Sequence, residues 1–174
     1  HYTHVRIRAD YSKIPSVSTY TITDGGKEYT AKYRYLHSQV ASDTSWYTEN
    51  EEGNKVIVTA GDMFGFLALS NKSEYKGFAG ETIYLGADID LNPGWTANAT
   101  APSKTWNPIG YWTGSPGNTS PKFAGTFDGD MHSISGVYIR KWANQLGLFG
   151  AVENATIKNF ELKNSYIENA NTGT

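Results

Sequence analysis

Phe127-Asp-Gly-Asp-Met-His-Ser-Ile134-Ser-Gly-Val137-Tyr-Ile139 is followed by Phe149-Gly-Ala-Val-Glu-Asn-Ala-Thr-Ile157-Lys-Asn-Phe160-Glu-Leu162. Ile134, Val137 and Ile139 map onto Ile157, Phe160 and Leu162 with a constant offset of 23 residues. A fixed period of that size, with short β-branched and aromatic runs between Gly, Asn and Asp, signals stacked units that bury an apolar side only against their neighbours. It predicts a β-solenoid in which Ile134, Val137, Ile157, Phe160 and Leu162 form an inward ladder.

Composition points the same way. The chain has 174 residues, 39% hydrophobic and 18% charged, with 12 Tyr and 18 Gly; this balance favours sheet and turns over helices rich in Ala, Leu, Glu and Lys. The length suits one medium domain, or a solenoid with a small appendage. Net charge is −2 and the 15 Lys and Arg are scattered, so nucleic acid is not an expected partner. No apolar run approaches the roughly 20 residues of a membrane helix, and no leader pattern opens the chain. Cysteine is absent, which excludes thiol chemistry. Low charge with abundant Tyr, Thr, Asn and Gly suits an extracellular or cell-surface protein.

Residues 1–58 read as an antiparallel β segment: Val5, Ile7 and Ala9 alternate against Arg6 and Arg8, and Tyr29, Ala31, Tyr33 and Tyr35 against Lys32 and Arg34. Asp24-Gly25-Gly26 is a hairpin turn, because Asp and Gly tolerate positive φ. Residues 59–174 form a second part. It opens on a helix over residues 59–71, with Thr59 at the N-cap, Asp62 near the positive helix end, and Met63, Phe66 and Leu67 as its apolar stripe. Ile83-Tyr-Leu85 and Ile89-Asp-Leu91 follow as strands. Asn92 to Pro121 is a long irregular stretch holding five of the six Pro and three of the five Trp, and loops of that length are often functional.

Five motifs stand in order along the chain: Thr82-Ile-Tyr-Leu-Gly-Ala-Asp-Ile-Asp-Leu91, Trp106-Asn-Pro-Ile-Gly110, Phe123-Ala-Gly-Thr-Phe-Asp-Gly129, Ile134-Ser-Gly136 and Gly147-Leu-Phe-Gly150. In that order they resemble the GLUG-motif β-solenoid modules of bacterial cell-surface and secreted proteins, over about residues 56–169. The resemblance implies an all-β, right-handed parallel β-helix with an N-terminal capping helix, in an exported protein. Residues 1–55 carry no such likeness. One departure stands out: where the family commonly has Asp-Gly-Asn/Gln-Gly-His, this chain has Asp128-Gly-Asp130-Met131-His132, so the turn after Gly129 is expected to differ.

Asp128 and Asp130 have the residue types of a glycosidase pair, but Asp-Gly at a corner more often accepts neighbouring backbone N–H groups. Calcium needs more oxygens than this run supplies. Asp88 and Asp90 read as a solvated face. His1 could chelate copper through its amine and ring, given a second positioned His, but His4, His37 and His132 lack the flanking residues of such enzymes. No catalytic residue, metal site or cofactor is therefore assigned. Asn71, Asn98, Asn118 and Asn154 head glycosylation-type triplets that read as polar turns.

The aromatic loop is the best ligand-binding candidate. Trp95, Tyr111 and Trp112 sit among Thr, Asn, Ser and Gly, and aromatic faces beside hydrogen-bonding groups suit sugar rings. Trp106 is expected to pack in the interior. The reading is a non-catalytic extracellular module for surface attachment, carbohydrate binding or self-assembly, with polysaccharide or cell-surface glycan as partner. The alternative is part of a larger carbohydrate-active β-helix enzyme whose catalytic coils lie beyond residue 174. Residues 168–174 look too short and polar to cover the final strands, so association through residues near 146–169, or continuation into further coils, is expected there.

Overall fold

The computed structural model describes residues 17–24, 27–34, 42–48, 55–114 and 120–170, the backbone alone for 17–34. The described part divides into two compact units, residues 1–37 and 38–174. In the first, β1 (Val17–Asp24) pairs antiparallel with β2 (Lys27–Arg34), from Val17 opposite Arg34 to Asp24 opposite Lys27. The alternating Tyr and Thr of both strands favour this hairpin. The run from Val5 to Ala9 lies outside the described residues.

The second unit contains α1 (Ser45–Thr48), β3 (Lys55–Ile57), α2 (Ala60–Ser70), a 3-10 segment (Ser73–Phe78), β4 (Thr82–Leu85) and β5 (Ile89–Asp90). After the long loop come β6 (Thr126–Asp128), β7 (Ser133–Ser135), β8 (Tyr138–Lys141), β9 (Thr156–Lys158), β10 (Glu161–Lys163) and β11 (Tyr166–Asn169). Among the described residues of this unit all strand pairs are parallel and fall into three small sheets, ordered β3-β4-β6-β9, β5-β7-β10 and β8-β11. β3, at the end of the stretch assigned on sequence to the N-terminal segment, pairs with β4.

This corrects the expected all-β, right-handed parallel β-helix. The unit is mixed: its strands belong to separate short sheets, and helices share their core. Met63, Phe66 and Leu69 of α2 join Trp46 of α1, Phe78 and the strand residues Ile83, Phe127 and Ile134 in one buried apolar cluster. Phe66 stacks on Phe127 at 5.9 Å and meets Phe78 edge-on at 5.2 Å. α2 forms as its caps predict: Thr59 Oγ1 accepts the Asp62 N–H, and the Asp62 carboxylate accepts the N–H groups of Thr59 and Val58. Among the described residues, no helix is long and apolar enough to cross a membrane.

The offset of 23 is also corrected. Ile134 pairs with Leu162 and Ile139 with Ile167, each 28 residues along, and Phe127 pairs with Ile157, 30 residues along. The step that repeats in the chain is shorter: Asn154, Asn159 and Asn164, five residues apart, all have positive φ (53°, 58° and 39°), and each precedes by three residues one of Ile157, Leu162 and Ile167. Asn tolerates the left-handed conformation better than most residues, so each marks a corner between short strands. The inward ladder holds for Ile134 and Val137, both 0% exposed, but Ile157 and Leu162 are 38% and 40% exposed. They point the same way as their buried partners, yet no described residue lies over them.

The turn after Gly129 does take a special shape. Asp130 and Met131 both have positive φ, and His132 N–H donates to Gly129 O at 2.8 Å. That is the two-residue turn for which glycine is preferred. Met131, in the position where the resembled family has Gly, is 84% exposed.

Candidate functional site

The loop from Asn92 to Pro121 is tied to the sheets at both ends. Asn92 is buried, its Nδ2 donating to Gly136 O and Lys104 O and its Oδ1 accepting the Lys104 N–H. Trp106 is 2% exposed and donates its indole N–H to Leu148 O at 3.1 Å, the interior role expected of it. Ile109 then bridges to Phe149, and Tyr111 N–H donates to Pro121 O at 2.9 Å. Gly110 has φ of 73°, and a Cβ there would strike the Ala151 carbonyl, so only glycine lets the loop turn this close to the sheet.

This anchoring leaves Tyr111 and Trp112 44% and 50% exposed on one side of a cleft of about 470 Å³. Lys141, Asn144 and Gln145, with Asn71 from the end of α2 and Asn107, give the cleft its polar lining. Gln145 clamps the loop reciprocally: its Oε1 accepts the Trp112 N–H and its Nε2 donates to Trp112 O, both at 3.0 Å. Lys141 Nζ donates to Asn107 Oδ1 at 2.8 Å. No carboxylate lines the cleft among the described residues. The volume is that of an ordinary small-ligand site, and amides offer donor and acceptor together.

Trp95 is placed elsewhere. Its ring meets Tyr138 edge-on at 5.7 Å, its indole N–H donates to Thr100 O, and its carbonyl accepts from Asn164 Nδ2. The structure thus brings Tyr111 and Trp112 together without Trp95. Lys141, Asn144 and Gln145 were not singled out on sequence, because long-range contacts such as the Ile109–Phe149 bridge and the Trp106 N–H bond to Tyr138 O bring residues 141–145 beside residues 107–112. Trp142, 73% exposed, follows the lining residue Lys141 and was likewise passed over.

The aspartates act as braces. Asp128 Oδ1 accepts the Asp130 N–H at 3.1 Å and Asn159 Nδ2 at 3.0 Å, while Oδ2 pairs with Lys158. The Asp130 N–H, then Asn159, hold its carboxyl below the usual range. Asp88 accepts the Ser133 N–H at 2.7 Å, which lowers its pKa in the same way, with His132 Nδ1 at 3.5 Å a smaller contributor. Asp90 accepts the Asn92 N–H. Among the described residues, no group of three or more His, Asp and Glu is placed to hold a metal ion; His1, His4 and His37 lie outside them.

No protein-family model, curated protein or solved structure matches this chain.

Proposed function

We propose that the protein is a non-catalytic, extracellular carbohydrate-binding module that attaches to polysaccharide or cell-surface glycan through the cleft of Tyr111 and Trp112. The observation that carries this reading is two exposed aromatic side chains whose backbone is held beside a lining of amides. Sugar rings offer apolar C–H faces to stack on such rings and hydroxyls to pair with Asn and Gln. The resemblance of residues 56–169 to GLUG-motif modules, and a composition low in charge and rich in Tyr, Thr, Asn and Gly, support a location outside the cell. The use of Asp88 and Asp128 as turn braces supports binding without turnover.

Titrating soluble glycans while following Trp fluorescence tests the proposal. Weak saturable binding is expected, lost in Trp112→Ala and kept in Trp95→Ala. Released reducing ends would overturn the non-catalytic reading, and an unchanged response in Trp112→Ala would overturn the site. Self-association through residues near 146–169 is a second part of the proposal. It is supported by Val152, Ile157, Leu162 and Ile167, which are 38–50% exposed at one end of the sheets.

A further inference from the structure

Among the described residues, β9, β10 and β11 are the edges of three different sheets, each paired on one side only. Ile157, Leu162 and Ile167 stack in register on Phe127, Ile134 and Ile139, and Val152 bridges to Phe123. Those four partners are 0–1% exposed, so the outer row continues the core's own side-chain direction with nothing described above it. The backbone agrees. Thr156 N–H donates to Gly125 O, Glu161 N–H to His132 O and Tyr166 N–H to Val137 O. Alternation along a strand then turns the N–H and C=O of Ile157, Leu162 and Ile167 outward together.

We infer that this face is the seat of a second copy of the same chain, docked about a two-fold axis that crosses β10 at Leu162. The inference rests on the proposed self-association and gives it a geometry. Such an axis reverses β10 on itself and sets β9 against the partner's β11. The spacing allows it, because Ile157 lies five residues before Leu162 and Ile167 five after. Leu162 therefore meets its own symmetry mate, and Ile157 meets the partner's Ile167, each as a pair that exchanges both N–H···O bonds. Charge agrees as well. Glu161 and Lys163, paired at 2.9 Å within the strand, each fall opposite the other residue type across the axis. Lys158 falls opposite the partner's Tyr166, and Glu168 opposite the partner's Thr156, so no like charges face each other. An isologous contact of this kind closes at the dimer.

Sedimentation velocity on the 174-residue chain, over a concentration series from micromolar to millimolar, tests the inference. Association that stops at the dimer is expected. Lys163→Glu sets Glu161 against the partner's new carboxylate at two symmetric places and should weaken the dimer roughly tenfold. Glu161→Lys with Lys163→Glu restores the opposition and should restore the dimer, and at a dilution where all three chains are monomeric they should melt alike. A wild-type chain that stays monomeric overturns self-association altogether. A dimer indifferent to Lys163→Glu, or growth past the dimer, overturns this pairing while self-association stands.

Discussion

Gly65 lies in the interior of α2, where alanine would ordinarily be favoured over glycine by about 1 kcal/mol. Here the sign should reverse. A Cβ at Gly65 would drive into the backbone carbonyl of Asp43, and Asp43 is fixed in turn by its N–H bond to Gly61 O at 2.8 Å. Backbone cannot swing aside as a side-chain tip can, so the segment from Ser42 to Thr48 must shift. Overpacking costs about 1 to 3 kcal/mol, and a clash with both the carbon and the oxygen of a backbone carbonyl lies at the upper end of that range; less the propensity gain, Gly65→Ala should lose about 2 kcal/mol. If the segment lifts off, Trp46, 2% exposed and 6.1 Å from Phe66 between ring centroids, is uncovered as well. Burial of a large apolar side chain is worth about 1.5 to 3 kcal/mol, so the loss would then be larger and tryptophan emission would shift red before the melt. Urea denaturation followed by fluorescence reads both. A variant as stable as the wild type, or more so, would refute the packing of Asp43 on α2.

Met131→Gly should stabilise by about 1 kcal/mol, since it relieves a left-handed non-glycine residue whose side chain is solvent-exposed; a lower thermal midpoint would contradict the turn. Asn92→Ala should cost about 2 to 3 kcal/mol by leaving Lys104 and Gly136 backbone groups without their partner, measurable by denaturant titration. The Tyr47 hydroxyl, partly buried and donating to both oxygens of Glu81 at 2.9 and 3.0 Å, has its pKa pushed up to about 12, by burial first and then by Glu81. The protonated form is the one the fold favours, so its contribution is intact below about pH 10 and lost as pH rises toward 12. Tyr47→Phe should flatten that part of the stability profile, and an identical profile would deny the Glu81 bond. Phe160, half-buried over Gly129 and edge-on to Phe127 at 5.5 Å, should cost about 2 kcal/mol on truncation to alanine, below the 3 to 5 typical of a fully enclosed aromatic.

Local chemistry was legible in the sequence where it is self-contained. Thr59 and Asp62 announce the start of α2, Asp24-Gly25-Gly26 separates two alternating runs that do pair, and Trp106 is interior as read. What depended on counting between strands was not legible. The offset of 23 matched apolar residues correctly by type, but loops of unequal length separate the pairing strands, so the true partners stand 28 and 30 residues apart. The five-residue spacing of Asn154, Asn159 and Asn164 was the better signal, and reading Asn154 by itself as a polar turn concealed it. The exposure of Ile157 and Leu162 has no local signature, since an inward-facing residue is buried only if something lies above it. α1 was missed because four residues are too few for a period, and with it went the mixed character of the core. In the cleft, the aromatic side was readable from Tyr111 and Trp112, whereas Lys141 and Gln145 reach it only through long-range pairing.

The parallel ladder also sets how this protein can vary. Ile83 pairs with Phe127 across 44 residues, and Phe127 with Ile157 across 30, yet both pairs belong to one continuous sheet. Extra chain leaves the ladder as loop and returns in register, and doubling a loop's length adds only about 0.6 kcal/mol of closure entropy. The lining of the cleft can therefore drift, or be engineered, by exchanging residues 111–121 and 142–146 while Gly110, Ile109 and Phe149 stay fixed as graft points.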